Sequence, residues 1–441
     1  MMPQCLRRFW ARLPASNRYG FTRARWPWWG MVLLLLALSL PQLAVAQEDS
    51  RAAEIGAARK EKSQKLQPEK SSKTESALLA FKDKKILERI SYGIGGLRVK
   101  LGGMVQGGGF GIGPEYFRPD LAKGNLVFRT AAQASIRGYQ RYDMEFGAPH
   151  FARNKLFLNL FGVHHDYTGI NYYGPGADSK RASRTDFRII DTSTDGTFGI
   201  LPVKHMKMGV SGGYLLVTLG PGQDTRFAST DKVFSPQQAI GIDTRPDFVR
   251  LGTFAEYDYR DNPGGPRTGG DYLVQFDRYL ARPRTGNDFR RLKVDLQQYV
   301  PVFNRRRVLA LHAQSVLTYP DGQSVVPFYL QPVLGGSEDL RGFRSFRFYD
   351  NNLILVNGEY RWEVFSGLDM ALFADSGKVF HRHADLNFRN MEADFGFGFR
   401  FNVRNNVFMR IDTAFSHEGF QVWFKFNNVF GDERIRSSRF R

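Results

Sequence analysis

From Ser91 to Phe430 the chain alternates between apolar and polar residues with a period of two. In residues 394–401 (DFGFGFRF) every second residue is Phe, and the residues between them are Asp, Gly, Gly and Arg. Residues 292–297, 356–364 and 420–427 alternate in the same way. Successive side chains of a β-strand point to opposite faces of a sheet. The pattern therefore predicts strands with one apolar and one polar face.

Sixteen segments fit this pattern. We place them at 91–101, 107–117, 125–136, 138–147, 155–166, 184–200, 204–218, 248–259, 270–281, 289–300, 307–318, 352–363, 368–380, 391–403, 406–416 and 419–430. A transmembrane barrel needs one face for lipid and one for a wet lumen. A soluble sandwich also alternates, but it encloses its apolar face and rarely has turns this rich in aromatic residues. The pattern favours an all-β, sixteen-stranded antiparallel transmembrane barrel.

The lengths of the connections support the same register. If both ends of the barrel lie in the periplasm, the connections at 202–203, 365–367 and 404–405 are periplasmic and short. The connections on the outer side include the long segments 219–247 and 319–351. Short periplasmic turns and long outer loops are typical of outer-membrane barrels.

The N-terminus has the features of a secretory leader. The apolar run of residues 31–40 follows six arginines and precedes Ala44-Val45-Ala46. This order predicts a signal peptide over residues 1–46, cleaved after Ala46. Arg7-Arg8 would also suit a twin-arginine signal, although the pair lies far from the apolar run. The expected location is the outer membrane of a Gram-negative bacterium.

Composition adds limits to this picture. The single cysteine, Cys5, leaves with the signal peptide, so the mature chain forms no disulfide. The net charge of +19 falls to +13 without the leader arginines. Spread basic charge suits outer-membrane lipids and lipopolysaccharide, and nucleic-acid binding is not expected. The barrel spans residues 90–430 and is flanked in sequence by two tails. Residues 47–89 form a polar periplasmic tail without the apolar residues needed for folding, and 431–441 form a basic C-terminal tail.

The strongest candidate for function is in the long loop 319–351. Its segment LGGSEDLRGF presents Arg341 between glycines, which permit turns that other residues resist. Glu359 and Asp375 are on the two following strands, at alternate positions that are expected to face the lumen. If the loop folds into the barrel, the planar guanidinium of Arg341 bridges both acids and closes the lumen. The alternative is an ordinary ion pair of the lumen wall.

Several motifs resemble those of the BamA/TamA superfamily, the barrels often called bacterial surface antigens. The matching segments, in chain order over about 90–430, are NYYGPG at 171–176, the turn of Asp258, Arg260, Asp261, Asn262 and Pro263, the loop motif of Arg341, Gly342 and Phe343, GEYRW around Glu359, and FADSGKVF around Asp375. The resemblance implies that the outer loop folds inward and that its arginine contacts acids on neighbouring strands. It also implies a barrel that inserts, assembles or translocates polypeptides, or lipids, with unfolded or exported polypeptides as partners.

Two features depart from this family. Members that assemble proteins usually carry periplasmic POTRA domains, and residues 47–89 are too short and polar for one, so we expect a short form that relies on another partner. The family's barrels usually end on an aromatic residue. Here the chain continues past Phe430, so either Phe430 serves internally or Phe440 takes that role.

A passive outer-membrane pore or structural barrel is the alternative function. Its selectivity would come from charges on the lumen parity, namely Glu363, Asp394, Arg400, Arg410, Asp412 and Lys425. For an insertase, the glycine-rich segment 92–97 would weaken the first strand and leave an edge for an incoming strand. Equally, those glycines would let a tightly curved barrel close.

Catalytic and metal chemistry are not expected. Residues 209–213 match the G-x-S-x-G esterase pattern, but they lie within a predicted strand, whereas that nucleophile needs a strand-to-helix turn. His381 and His383 share an outer loop without a third ligand of matching pattern. We therefore predict no enzyme, no metal site and no cofactor.

Overall fold

One sheet of sixteen antiparallel strands makes up the fold of the computed structural model, which describes residues 93–102, 104–403, 405–426 and 430, and also 56, 57 and 60. The strands of the sheet are β1 (Leu97–Leu101), β2 (Gly111–Leu121), β3 (Leu126–Ser135), β4 (Gln140–Phe151), β5 (Leu156–Tyr172), β6 (Thr185–Ile200), β7 (Met206–Pro221), β8 (Asp247–Asp258), β9 (Gly269–Arg282), β10 (Phe289–Val302), β11 (Asn304–Pro320), β14 (Asn352–Phe365), β15 (Leu368–Phe380), β16 (Glu392–Val403), β17 (Asn406–Ser416) and β18 (Gly419–Lys425). Each strand pairs with the next along the chain, except that β11 pairs with β14.

The remaining elements lie in the connections. Between β11 and β14, the two-residue strands β12 (Val333–Leu334) and β13 (Phe348–Tyr349) pair with each other. The other elements are helix α1 (Thr230–Val233) and the 3₁₀ turns Ala122–Gly124, Arg181–Ser183, Phe328–Leu330 and His383–Asp385. Over the described residues, no helix is both long and apolar enough to cross a membrane.

All sixteen predicted segments form strands, so the predicted fold class is confirmed, with two corrections at its start. The first strand begins at Leu97 and not at residue 91, because Gly93, Gly95 and Gly96 have φ values of +66°, +63° and +90° and form a turn. The interpretation of these glycines as part of a weak strand was wrong. The second strand lies at Gly111–Leu121 and not at 107–117, with Gly107 and Gly109 in the loop before it.

The alternation of side chains separates an apolar outer surface from a polar interior. Phe395, Phe420 and Phe424 are 65%, 65% and 63% exposed on the outer face. On the opposite face of the same part of the wall, Arg400 and Arg410 are fully buried. Contact with lipid favours the exposed phenylalanines. Ion pairing offsets the cost of burying the arginines in the interior.

The two ends of the sheet meet at a seam. The ring of Phe426, just after β18, lies 5.5 Å from the ring of Phe110, and a Cβ on Gly102 would lie 3.1 Å from that of Phe426. Across residues 93–102 and 405–426, no backbone pairing joins β1 to β18. At this point the two ends of the sheet are in side-chain contact, and among the described residues β1 and β18 share no ladder hydrogen bonds.

The outer end of the lumen is filled by aromatic side chains from the strands and the outer loops. Tyr172 at the end of β5 contacts the rings of Phe328 and Tyr349 at centroid distances of 4.9 and 5.0 Å. Tyr172, Tyr349 and Phe328 are each at most 1% exposed. This packing holds the loop between β11 and β14 against the strands.

Several predictions concern the ends of the chain. The signal peptide at 1–46 and the tail at 431–441 lie outside the described residues, and of 47–89 only positions 56, 57 and 60 are described, as helical. The last strand ends at Lys425, so the prediction that it reaches Phe430 was wrong. Phe430 instead lies in the lumen, 4.9 Å from the ring of His312, and its carbonyl accepts a hydrogen bond from Gln297.

Candidate functional site

The loop of residues 321–351, hereafter the lid, lies inside the outer half of the barrel. Its base is fixed by the β12–β13 pair and by a hydrogen bond of 2.7 Å from the Tyr349 hydroxyl to the carbonyl oxygen of Asn171. Gly335 and Gly336 have φ values of +108° and +131°, which residues with a Cβ rarely adopt. The turn at these glycines directs the segment 337–343 to the inner surface of β14–β17.

Arg341 makes the central contact between the lid and the wall. Its Nε and Nη2 donate to the two carboxylate oxygens of Asp375 at 2.7 and 2.8 Å, and its Nη1 donates to Glu359 at 2.7 Å. All three side chains are fully buried, and the guanidinium lies 3.4 Å from the ring centre of Phe373. Bidentate arginine–carboxylate pairs of this kind are among the stronger and more directional hydrogen-bonded contacts in proteins.

The acids that bind Arg341 belong to a larger charged network. Glu359 also accepts hydrogen bonds from Arg361 at 2.7 Å and from Arg400 at 2.9 Å. Arg400 continues the network to Asp412, which pairs with Arg410. The Arg410 guanidinium donates to the carbonyl of Ser337 in the lid at 2.8 Å.

Asp375 depends on the lid more than Glu359 does. Besides Arg341, its polar partners among the described residues are the carboxyl of Asp394 and the amide of Asn357. The Asn357 amide also donates to the Asp339 carbonyl in the lid at 2.8 Å. Removing Arg341 therefore leaves Asp375 without a cation, whereas Glu359 keeps two arginines.

The residues that follow Arg341 are also fixed by packing. A Cβ at Gly342 would lie 2.5 Å from the Cβ of Asp394 and 2.9 Å from that of Ser416, so the close approach requires glycine. Phe343 is fully buried in an apolar cluster and contacts the ring of Phe348 at 5.3 Å. The structure thus brings together in one site the three predicted residues of the lid and the two predicted acids of the wall.

The same segment of the lid contacts the seam. On one side, the indole Nε1 of Trp423 in β18 donates to the carbonyl of Arg341 at 2.7 Å, and Ser416 donates to the carbonyl of Gly342 at 2.8 Å. On the other side, the loop between β1 and β2 packs on the lid, where a Cβ at Gly336 would strike the side chain of Gln106. The lid therefore contacts elements from both edges of the sheet.

The predicted turn motif lies at the opposite end of the barrel. Arg260 pairs with Asp258 at 2.8 Å and with Asp271 at 3.0 Å, and the Asp261 carboxylate caps the turn by accepting the backbone N–H groups of 267 and 268. Asn262 donates to the carbonyl of Asn405 at 2.8 Å, and Pro263 follows it in the turn. The β8–β9 turn thus reaches across to the β16–β17 turn.

The turn and the lid residues do not touch each other, but the charged network lies between them. Gly265 and Arg267 of the turn line one cleft together with Arg361 and Arg400. Arg267 also pairs with Asp369 of β15 at 3.0 Å. The wall that carries the acids of the lid site is therefore held at its periplasmic end by the turn motif.

Other candidate residues take structural positions. Four of the charges that the pore alternative assigns to selectivity do not line a water-filled passage. Each is at most 4% exposed; they are Asp394, Arg400, Arg410 and Asp412. His381 lies 3.2 Å from Asp350, and His383 contacts the carbonyl of Thr318. The described residues contain no group of three or more metal-ligating side chains.

The residues that connect the lid to the end of the sheet were not predicted from the sequence. Trp423 and Gln421 share the polar face of β18, and a tryptophan on a lumen-facing parity was a usable signal that it meets another part of the protein. Ser416 and Asn357 gave no such signal, because hydroxyl and amide side chains are common in any lumen.

Comparison with known proteins places this architecture in a family. A model of the Omp85 superfamily domain matches residues 123–420. No curated protein matches the sequence. Among solved structures, the chain is similar to BamA from Haemophilus ducreyi, determined without POTRA domains 1–3, with a TM-score of 0.55, 15% identity, and coverage of 76% of this chain and 70% of that one.

The chain is also similar to two CdiB structures. For CdiB from Escherichia coli the TM-score is 0.49 at 14% identity, and for CdiB from Acinetobacter baumannii it is 0.46 at 10% identity. Each alignment covers 74% of this chain, which spans 61% and 58% of those proteins. Omp85 proteins of this type are outer-membrane barrels of Gram-negative bacteria that act in insertion or secretion. Because the family model covers well over half of its residues, this chain belongs to the Omp85 superfamily.

Proposed function

We propose that this barrel promotes the insertion, assembly or translocation of polypeptides, or lipids, at the outer membrane, and that the Arg341 contact holds its lid in place during that work. The observation that carries the proposal is the position of the lid between the two edges of the seam. Trp423 of β18 binds the carbonyl of the same residue whose side chain binds Glu359 and Asp375.

The seam supplies a surface for an incoming strand. A sheet edge without a partner presents N–H and C=O groups that pair readily with another extended chain. Within the described residues, β1 and β18 lack backbone pairing with each other. Membrane lipid offers no hydrogen bonds to these groups, so an arriving strand gains more there than it gains in water.

The lid then has a defined task. While Arg341 is bound, the lid fills the lumen beside the seam and keeps Trp423 and the β1–β2 loop in register. Loss of the contact frees the lid and removes one hydrogen bond from β18. We expect the active protein to need a held lid, because a loose one leaves the two edges without a common support.

A passive pore is less well supported by the same residues. Of the six charges that would set its selectivity, Asp394, Arg400, Arg410 and Asp412 are buried. Phe343 and Leu340 of the lid are fully buried in the outer half of the lumen. A wide, steady passage therefore requires that the lid leave its place.

The test is the rate at which a second, denatured barrel protein folds into liposomes that contain this protein. Empty liposomes give the baseline, and Arg341→Ala is compared with the wild type. Arg382→Ala is the matched control, since Arg382 is an exposed arginine of another outer loop, paired only with Asp385 in the described structure. We expect acceleration by the wild type and the control, and weaker acceleration by Arg341→Ala.

Two further measurements make the outcome decisive. Arg341→Lys keeps the charge but not the bidentate geometry. The acceleration of folding that it gives should therefore lie between that of the wild type and that of the alanine variant. Heat-dependent migration on gels checks that each variant is folded. If the wild type gives no acceleration over empty liposomes, the proposal is wrong and the pore is favoured.

A further inference from the structure

Arginine side chains gather around Tyr173 at the outer end of β5 and β6. Tyr173 follows β5 directly, and Arg184 is the residue before β6. The guanidinium of Arg347, from the lid, lies 4.8 Å from the centre of the Tyr173 ring. Arg344 of the lid belongs to the same group. None of these residues takes part in the contacts of Arg341.

One asparagine sets the distance between the strand end and the lid. The side-chain oxygen of Asn171 accepts hydrogen bonds from Nε and Nη2 of Arg184 at 3.1 and 3.0 Å. The amide nitrogen of Asn171 donates to the carbonyl of Ser345 at 3.0 Å. Arg184 and the residue beside Arg344 are thus joined through a single side chain, which explains why two cations are held near each other.

The nearby acids Glu418 and Asp224 pair with other arginines, although Oε2 of Glu418 has no hydrogen-bond partner among the described residues. Glu418 accepts from Arg347 at 2.8 Å, and Asp224 accepts two hydrogen bonds from Arg226 at 2.8 and 2.6 Å. Arg347 is satisfied in addition by the hydroxyl and carbonyl of Ser179. Asp224 and Asp186 attract Arg184 through space, but neither Arg184 nor Arg344 forms an ion pair with an acid among the described residues.

Two donors of this cluster are buried without an acceptor. In the described part of the chain, Nε of Arg344 is inaccessible to solvent and has no hydrogen-bond partner. The hydroxyl of Tyr173 is in the same situation, and Tyr173 is 1% exposed. A buried donor without an acceptor costs free energy that a bound acceptor would recover.

The electrostatics of the cluster agree with the geometry. Burial lowers the pKa of Arg184, and repulsion from Arg344 lowers it further. Burial raises the pKa of the Tyr173 hydroxyl, against the influence of Arg184, Arg344 and Arg347. The direction for Tyr173 reflects its burial, and the part that the neighbouring arginines play in both shifts indicates that positive charge is concentrated in a partly dry place.

We propose that Arg184, Arg344 and the hydroxyl of Tyr173 form a binding site for a phosphate group at the outer mouth of the barrel. A phosphate has several acceptor oxygens and a shape that matches guanidinium donors, so one group satisfies donors from all three residues. The phosphate belongs either to a lipid headgroup of the outer leaflet or to a free ion. The site lies between a strand end and the lid, and its occupation adds a contact between them.

The first test is of the site itself. Titration calorimetry at low ionic strength measures the binding of inorganic phosphate to the folded protein in detergent micelles. We expect Arg344→Gln and Arg184→Gln to weaken binding by about tenfold or more, as for the loss of a charged hydrogen bond. Tyr173→Phe removes only the hydroxyl and should weaken binding less. Arg382→Gln, in a separate outer loop, should bind as the wild type does.

A second arm identifies the source of the phosphate. Micelles doped with lipopolysaccharide, or with the same lipid after removal of its phosphates, are compared by retention of the lipid on the purified protein. Retention that requires both the phosphates and Arg344 identifies a headgroup, and binding of inorganic phosphate alone identifies a free ion. If the wild type binds neither, or if Arg344→Gln and Arg184→Gln bind both as strongly as the wild type, the proposal is overturned. These results do not depend on folding of a second barrel, so failure here is distinct from failure of the proposed function.

Discussion

Two parts of the barrel wall carry buried arginine–carboxylate clusters of similar chemistry but different connectivity. In the wall of β2–β5, Arg129 of β3 pairs with Glu115 at 3.3 Å, Asp143 at 2.6 Å and Glu145 at 3.1 Å. All of these partners lie on the strands next to β3. In the wall of β14–β17, the central cation is Arg341, which comes from the lid.

This difference decides what each cluster stabilises. The cluster at β2–β5 adds cross-strand contacts to strands that are already joined by ladder hydrogen bonds, so it makes the wall stiffer. The cluster at β14–β17 adds the contact that keeps a loop inside the lumen. A strand cannot leave its sheet without unfolding, but a loop can leave its site and be hydrated. The same kind of ion pair therefore affects stability in one wall and conformation in the other.

The largest expected effect is that of Arg341→Ala. Breaking a buried ion pair from one side costs about 3–5 kcal/mol, because it leaves the partner acid uncompensated. We expect most of this cost to appear as release of the lid, with cleavage of the lid by external protease and larger, less steady conductance in planar bilayers. A steady conductance equal to that of the wild type would contradict the role of the lid.

Arg129→Gln makes the corresponding change in the other wall. Asp143 keeps Lys100 and Arg141, so we expect a smaller loss of about 1.5–3 kcal/mol in the free energy of unfolding. The lid should be as resistant to protease as in the wild type. Urea unfolding and lid proteolysis measured on the same samples check this, and increased lid cleavage would mean that the two walls are coupled.

Gly342→Ala tests the packing of the lid without removing a charge. The added methyl group would meet the Cβ of Asp394 at 2.5 Å, so the lid must shift, at a cost of about 1–3 kcal/mol. The control is Gly162→Ala in β5, where a Cβ meets no atom within 4 Å. The rate of lid proteolysis should rise for the first variant and not for the second.

Trp423→Phe removes one hydrogen bond between the last strand and the lid. We expect a cost of about 0.5–1.5 kcal/mol in lid docking, with the wall intact. Trp362→Phe is the matched control, because Trp362 stacks with Tyr360 and contacts no lid residue in the described structure. Equal protease resistance of wild type and Trp423→Phe would show that this hydrogen bond does not hold the lid.

The last prediction concerns pH. Burial raises the pKa of Asp339 in the lid to about 8 from its ordinary value of 3.8. The docked lid therefore keeps a proton that the released lid loses, and this contribution to docking declines as the pH rises from about 4 to about 8. Lid proteolysis between pH 6 and pH 8 should increase in the wild type and change less in Asp339→Asn.

The strands were predictable from sequence because lipid and lumen impose opposite demands on alternate residues. The same rule failed at residues 91–96, where glycines continue the composition of a strand but adopt positive φ. Arg341, Glu359 and Asp375 were found through motifs and parity. The partner of Trp423 could not be found in this way, because it is a backbone carbonyl of a loop 82 residues earlier, and a carbonyl has no sequence signature.

The contact of Trp423 with Arg341 also has a consequence for how the chain is made. The side chains that bind Arg341 and Gly342, from Glu359 to Trp423, are all synthesised after the lid itself. The polar groups at the tip of the lid therefore lack these partners until the final strand is in place. Its docking is a late step of biogenesis, and a protease-resistant lid marks a barrel whose C-terminal strand has arrived.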